Sequence, residues 1–254
     1  MAAQRVTLCK GCWSRFRLPI PIRGAMSLLP RMVGVKSSRM SPNLCTLCET
    51  MFQLLMKTKR VEISATILFA DVRGYTGMSE RLESDEVAAV LDEFYEVCSG
   101  PIWDRDGIVN KLIGDAVFAI FNFPVSRDDH ARMAVMSALE VQARCHELKR
   151  AAAEAGHARN EFGVGIGIHT GKVTIGEIGQ FCKDFTAVGD VVNVAARLQG
   201  AARPGEVLVS EAVMAQVPDL LPNAVSQTYT LKGISRPVQA FALSEPRLPT
   251  ATPN

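Results

Sequence analysis

From Val61 onward the chain alternates between two hydrophobic rhythms. Residues 63–69 (ISATILF) form a short apolar run, the pattern of a strand buried on both faces. Over residues 79–98, Leu82, Val87, Leu91, Phe94 and Val97 recur at helical spacing, with Asp85 and Glu86 suited to the positive end of the helix dipole. Residues 107–113 and 116–121 flank Gly114-Asp115 as a predicted hairpin. A second long helix is predicted over 128–155, with Gly156 as its stop. Residues 162–169 and 173–178 then read as strand, turn at Thr170-Gly171, and strand. A short helix over 191–199, a strand over 207–210, a weaker helix and two more strands follow. The order between 63 and 178 is β-α-β-β-α-β, so the expected class is α+β with a ferredoxin-like core: an antiparallel sheet with two helices on one face.

Residues 1–60 break this regularity. They lack sustained periodicity and are rich in Pro, Arg and Ser. The 254-residue chain is 48% hydrophobic and 21% charged, which excludes a disordered or collagen-like protein. Its net charge of +2 conceals an asymmetry: residues 1–60 hold eleven Lys/Arg and one acid, Glu49, whereas residues 61–254 hold 17 bases and 25 acids. The first part therefore carries +10 and the second −8. No stretch reaches the roughly 18–20 apolar residues of a membrane helix. The run 18–35 is interrupted by Pro19, Pro21, Arg23, Pro30 and Arg31, and the uninterrupted core of a signal peptide is missing. The expected location is cytoplasmic, with peripheral contact to a membrane surface.

Three constellations carry candidate chemistry. In Phe69-Ala70-Asp71-Val72-Arg73-Gly74-Tyr75-Thr76 an acid closes a buried strand before a glycine turn and a helix. Such a carboxylate either holds a cation beside a bound phosphate or simply caps the helix, and both readings stand. Asp115 lies at the hairpin tip of Lys111-Leu-Ile-Gly-Asp-Ala-Val-Phe, where a plain turn acid would also fit. In a split βαββαβ sheet, however, strand one neighbours the hairpin, so Asp71 and Asp115 approach each other. Two adjacent carboxylates repel unless cations lie between them, and paired divalent ions roughly 3.5–4 Å apart are the common arrangement for phosphoryl transfer. In the third, Asn193 and Arg197 stand four apart on the helix that follows Asp184-Phe185-Thr186-Ala187-Val188-Gly189-Asp190, hence on one face. A core amide with a surface Arg would produce the same pattern.

Taken in order, ILFADVRGYT, KLIGDAVFAIF, GIGIHTGKVTIGEIG and FTAVGDVVNVAARL resemble the catalytic domain of class III adenylyl/guanylyl cyclases, over about Glu62 to Leu243. The 44-residue interval from Asp71 to Asp115 is similar to the family's. The resemblance implies that Asp71 and Asp115, with the carbonyl of Val72, bind two Mg²⁺ or Mn²⁺ ions. One ion would activate the ATP ribose 3′-hydroxyl for attack on the α-phosphorus and the other would offset the triphosphate charge. It further implies that Lys111 and Thr186 read the purine, Asn193 orients the ribose, Arg197 stabilises charge on the reacting phosphate, and Lys172 and Lys232 meet the triphosphate. Lys111 favours adenine, where guanylyl cyclases tend to carry Glu. Thr186 stands where many members have Asp and resembles the bicarbonate-responsive soluble-cyclase subgroup, and Lys172 replaces the more usual Arg. In this family the two residue sets come from different chains, which implies a head-to-tail homodimer with two composite sites. The expected activity is conversion of ATP to 3′,5′-cyclic AMP and pyrophosphate for intracellular signalling. The alternatives are a guanylyl cyclase and a non-catalytic nucleotide sensor.

Four of the seven cysteines form Cys9-x2-Cys12-x32-Cys45-x2-Cys48. Two CxxC knuckles suit a tetrahedral Zn²⁺, and redox dithiols or an iron–sulfur cluster use the same ligands. The expected organisation is a basic zinc-binding segment over 1–60, the catalytic domain over 61–243 and a disordered tail over 244–254. The basic charge suits an anionic membrane surface or a place against the acidic domain. Only Trp13, Phe16 and Phe52 interleave with the bases, which disfavours nucleic acid.

Overall fold

The apolar run that begins the regular part of the chain becomes the central strand. The computed structural model describes residues 7–38, 40–154, 163–179, 181, 184–220 and 224–244. Strand β1 (Val61–Arg73) pairs antiparallel with β3 (Ala116–Phe121) on one side and with β4 (Gly163–Ile178) on the other. Among the described residues the sheet has eight strands. Its order is β2 (Ile108–Ile113), β3, β1, β4, β6 (Glu206–Ser210), β8 (Val238–Ser244) and β7 (Ser226–Tyr229), with β5 (Asp184–Val188) paired to β4. The expected ferredoxin-like arrangement is therefore present and extended by four strands, in which β4 and β6 run parallel.

Helices α5 (Ser84–Asp104) and α6 (His130–Glu154) cover one face. There Leu68, Ala70 and Val72 of β1 meet Phe94, Ile102, Ala134 and Val135. The opposite face holds Ile67, Phe69, Phe118, Ile120 and Ile175 beneath α7 (Asp190–Ala201) and α3 (Thr46–Thr58). Covering both faces explains the unbroken apolar run of β1, since each large side chain buried contributes about 1.5–3 kcal/mol.

Several boundaries differ from the sequence expectation. The first helix is split: α4 (Tyr75–Ser79) is short, and α5 restarts at Ser84 because Glu83 and Glu86 form a reciprocal capping box. The expected turn at Thr170-Gly171 is absent. β4 runs through it, because all of β1 pairs with it, from Val61 opposite Ile175 to Arg73 opposite Gly163. Thr170 instead turns its hydroxyl inward, where Thr66 donates to it at 2.9 Å and also bonds His130 Nδ1 at 2.8 Å. The segment before residue 60, which lacks sustained periodicity in sequence, contains α1 (Lys10–Phe16), α2 (Leu28–Met32) and α3. Beyond β6, α8 (Glu211–Met214) is the expected weaker helix. Ser244, expected to open the tail, is the last residue of β8 and pairs with Glu206. Residues 245–254, expected to be disordered, and Gly156 lie outside the described residues.

The N-terminal segment packs against the rest of the fold. Phe52 of α3 packs edge-on against Phe123 and Phe185, with ring centroids 4.5 and 5.6 Å away. Lys10 Nζ lies 2.5 Å from Asp106, whose side chain is buried and also meets Arg127 at 2.9 Å. Asn43 donates to the Trp103 carbonyl, and the Trp103 indole donates to the Met40 carbonyl. Among the described residues no helix is long and apolar enough to cross a membrane.

The glycine alternation of GVGIGIHT has a packing cause. A Cβ on Gly167 would stand 2.1 Å from the Gln199 backbone nitrogen and 2.4 Å from the Ala195 carbonyl, so α7 rests directly on β4 only because this residue has no side chain. Gly167→Ala has backbone on both sides of the added methyl and nothing flexible to yield. It is expected to cost about 3 kcal/mol, at the upper end of ordinary overpacking, read as a lowered urea midpoint.

Candidate active site

Asp71 and Asp115 come together through backbone pairing. Asp71 lies opposite Ala116 in the β1–β3 ladder, so the tip of the β2–β3 hairpin stands beside it. Gly114 takes the left-handed conformation (φ 60°) that lets the hairpin close, and its carbonyl accepts a hydrogen bond from the Tyr95 hydroxyl. The next carbonyl, that of Asp115, accepts the Val72 N–H at 3.1 Å. This bond holds the hairpin tip against the end of β1, and the Val72 side chain itself is buried with Leu68 and Ala70.

The electrostatics follow from that placement. Burial, and then the neighbouring Asp115 carboxylate, push Asp71 up to about 6. Two groups oppose the shift: Arg73 Nη1 lies 3.2 Å from Asp71 Oδ2, and Gln199 Nε2 donates to the same oxygen at 2.8 Å. Arg73 also bonds the Gln199 backbone carbonyl, while its Nε is buried without a partner. Neither Arg73 nor Gln199 was singled out from the sequence. The signal was available: Arg73 has the parity of Asp71 on the strand, and Gln199 is an amide in an apolar stripe of α7. A pair of oxygen-rich carboxylates at one strand end, one of them reluctant to ionise, fits hard divalent cations such as Mg²⁺ or Mn²⁺.

The expected purine-reading residues gather elsewhere on the chain. Lys111 on β2 forms an ion pair with Asp184 at the start of β5. Thr186, two residues on, donates to Asn110 Oδ1 at 3.4 Å, and Asn110 Nδ2 bonds the Phe185 carbonyl at 3.1 Å. Asn110 and Asp184 are thus further members of this group. Asn193 and Arg197 both project from the exposed side of α7, away from Gln199. Lys172 is exposed and pairs loosely with Glu62 at 3.4 Å, and Lys232 is exposed before β8. No hydrogen bond or ion pair among the described residues links Lys111, Thr186, Asn193, Arg197, Lys172 or Lys232 to the two aspartates. The structure joins Asp71 to Asp115 and Lys111 to the Thr186 strand, and leaves the other four apart.

The N-terminal cysteines converge. Their Sγ atoms all lie within 4.8 Å of one another, with Cys9–Cys48 at 3.6, Cys12–Cys45 at 3.5 and Cys12–Cys48 at 3.3 Å. Cys9 Sγ accepts N–H bonds from Cys12 and Cys45, and Gly11 is needed because a Cβ there would stand 2.9 Å from Cys48 Sγ. The crowding divides the thiols: the Cys9 thiol beside it holds Cys45 down at about 5, while burial and the Cys48 thiol push Cys12 up to about 12. Of the remaining cysteines, Cys98 and Cys145 are buried in the α5–α6 core and Cys182 lies outside the described residues.

The raised acid at Asp71 has a pH consequence. Its folded value lies above the unfolded one of 3.8, so ionising it opposes folding at pH 8, and the penalty, complete above about 6, is lost progressively as pH falls from there towards 3.8. Asp115→Asn is therefore expected to stabilise the metal-free protein at pH 8 and to change little at pH 4, read by thermal melts. Added Mn²⁺ should raise the wild-type midpoint more than that of the variant.

Comparison with known proteins places these features. The sequence profile described as the adenylate and guanylate cyclase catalytic domain matches residues 56–243. Adenylate cyclase 1 of Rhizobium meliloti is 35% identical over 179 residues, which is 69% of this chain and 27% of that relative. Among solved structures, the adenylyl cyclase CyaB from P. aeruginosa is 27% identical with a TM-score of 0.67, covering 74% of this chain and 98% of that one. The guanylyl cyclase Cya2 is also 27% identical, with a TM-score of 0.66 and coverage of 75% and 96%. The match thus spans about a quarter of the curated Rhizobium relative but nearly all of each solved catalytic domain. With the profile running from the end of α3 to the end of the sheet, the chain belongs to the adenylate and guanylate cyclase catalytic domain family.

Proposed function

We propose that this chain is an adenylyl cyclase, converting ATP to 3′,5′-cyclic AMP and pyrophosphate at sites shared between two copies. The observation that carries this reading is the meeting of Asp71 with Asp115, while Asn193 and Arg197 present exposed side chains on the outer face of α7. A single chain thus holds two half-sites, and a head-to-tail homodimer would unite each pair.

Two divalent ions held by Asp71 and Asp115, with the Val72 carbonyl as a further ligand, would supply Lewis acidity at the ribose 3′-hydroxyl and offset the triphosphate charge. The chain's own residues orient the reaction. Asn193 positions the ribose so that its 3′-oxygen lies in line with the α-phosphorus. As the new P–O bond forms and the bond to the β-phosphate bridge breaks, Arg197 supplies fixed positive charge where charge accumulates, a contribution often worth about 3–4 kcal/mol. Lys172 and Lys232 bind the triphosphate. Lys111 donates to the purine edge, which favours the adenine N1 acceptor, and Thr186 completes the contact through a hydroxyl able to donate or accept.

Thr186 also keeps a guanylyl cyclase as the second reading, and the similarity to the guanylyl cyclase Cya2 supports retaining it. Incubating the purified chain with Mn²⁺ and either ATP or GTP tests the choice. Cyclic AMP is the expected product; cyclic GMP would favour the second reading, and neither product would favour a nucleotide sensor. Asp71→Ala and Arg197→Ala are each expected to lower the rate by about 10²–10³. Mixed in equal amounts and re-equilibrated, they should recover about a quarter of the wild-type rate, because half the dimers are mixed and each holds one intact site. No recovery would count against the shared site.

The four-cysteine cluster is read as a structural Zn²⁺ site. Tetrahedral zinc with Zn–S bonds of about 2.3 Å sets its sulfurs about 3.8 Å apart, close to the 3.3–3.6 Å seen between these thiols. An iron–sulfur cluster would need a wider cage. Elemental analysis is expected to find about one zinc per chain. Cys45→Ser should release it and lower the melting temperature, and a zinc-free wild-type protein with a normal melt would refute the assignment.

A further inference from the structure

The 32 residues between Cys12 and Cys45 include none of the residues to which nucleotide chemistry is assigned. The two CxxC knuckles pinch this stretch into a loop whose stem is buried. Ile22 and Val35 pack against the four cysteines, and Ile22 N–H bonds the Thr7 carbonyl at 2.8 Å. Just beyond the stem, Gly24 (φ 78°) and Gly34 (φ 81°) turn the chain out and back.

Between those glycines lies an exposed apolar tip. Met26, Leu28, Leu29, Met32 and Val33 are 64–84% exposed. Five large apolar side chains within eight residues are not scattered surface hydrophobes; such a contiguous patch marks an interaction site. The tip's backbone is largely satisfied from within. Ser27 N–H bonds Gly24, Val33 and Val35 bond Pro30, and Gly34 bonds Arg31, at 2.9–3.2 Å. The polar side chain of Ser27 is buried, its hydroxyl on the Gly24 carbonyl at 2.7 Å. This local bonding lets the tip leave water without stripping those amides of partners.

Exposed bases surround the tip in sequence: Arg17, Arg31 and Lys36, none in an ion pair among the described residues. The whole segment of 60 residues contains one acid, Glu49, which lies on α3. We propose that the 26–33 tip inserts into the surface of an anionic lipid bilayer. Its apolar side chains would enter the boundary between headgroups and acyl chains, and Arg17, Arg31 and Lys36 would meet the acidic headgroups. A symmetric contact with the same tip of a second copy would instead bring two strongly basic segments together. The membrane surface complements both the apolar and the cationic character of the tip. This inference is independent of the cyclase reading, because lipid binding is measured without nucleotide.

Flotation of the full chain with phosphatidylcholine vesicles, with and without phosphatidylglycerol, tests it. The wild type is expected to float with the acidic vesicles and about tenfold less with neutral ones. Leu29→Ser with Met32→Ser should reduce flotation about tenfold while leaving the melting temperature unchanged, since both side chains are exposed. Arg31→Glu with Lys36→Glu should remove the preference for phosphatidylglycerol. Absence of wild-type flotation at low salt would overturn the proposal, as would undiminished flotation of the Leu29/Met32 variant. So would light scattering that shows self-association lost in that variant without any lipid binding, which would assign the tip to a second copy.

Discussion

The repulsion between Asp71 and Asp115 is the constraint around which the site is built. Backbone pairing puts them side by side, and neither can move away without breaking the ladder that β1 shares with β3. The protein tempers the conflict with Arg73 and Gln199 but does not remove it, and Asp71 remains harder to ionise than an ordinary aspartate. An arrangement of this kind costs stability when empty and binds cations strongly for the same reason.

Much of this architecture was legible in the sequence. The split βαββαβ order gave the neighbours of β1 and thereby the meeting of two acids 44 residues apart. The turn expected at Thr170-Gly171 was not there, because a thirteen-residue partner strand overrides a local turn signal and Thr170 has a buried bonding role that composition does not reveal. The break before α5 depended on the Glu83–Glu86 cap, a local detail masked by apolar periodicity on either side of it. Strand β5 was missed as a strand because its pairing partner is the far half of a β4 that had been divided in two. Arg73 and Gln199 were passed over for a different reason. Their roles exist only once α7 is laid across β1, and single-sequence periodicity does not say which strand a helix will cross.

The glycines of β4 show how packing and chemistry meet. Gly165 leaves room for the Arg73 guanidinium, and Gly167 lets the backbone of α7 approach. One helix therefore presents Gln199 inward to Asp71 and Asn193 and Arg197 outward. The inward contact fixes the helix, and the fixed helix sets the direction of the two exposed side chains. Preorganisation of this sort is the means by which a rigid scaffold holds charge ready for a transition state.

The aromatic contact of Phe52 with Phe123 and Phe185 carries a consequence for where this protein begins as a folding unit. A gene fragment opened at Val61, where the regular pattern starts, would discard α3 and uncover two phenylalanine rings, one of them next to Thr186 on the strand proposed to read the base. Such a truncation would expose apolar rings to water at the end of the sheet that carries β5, so a fragment meant to fold alone has to retain the helix that brings Phe52.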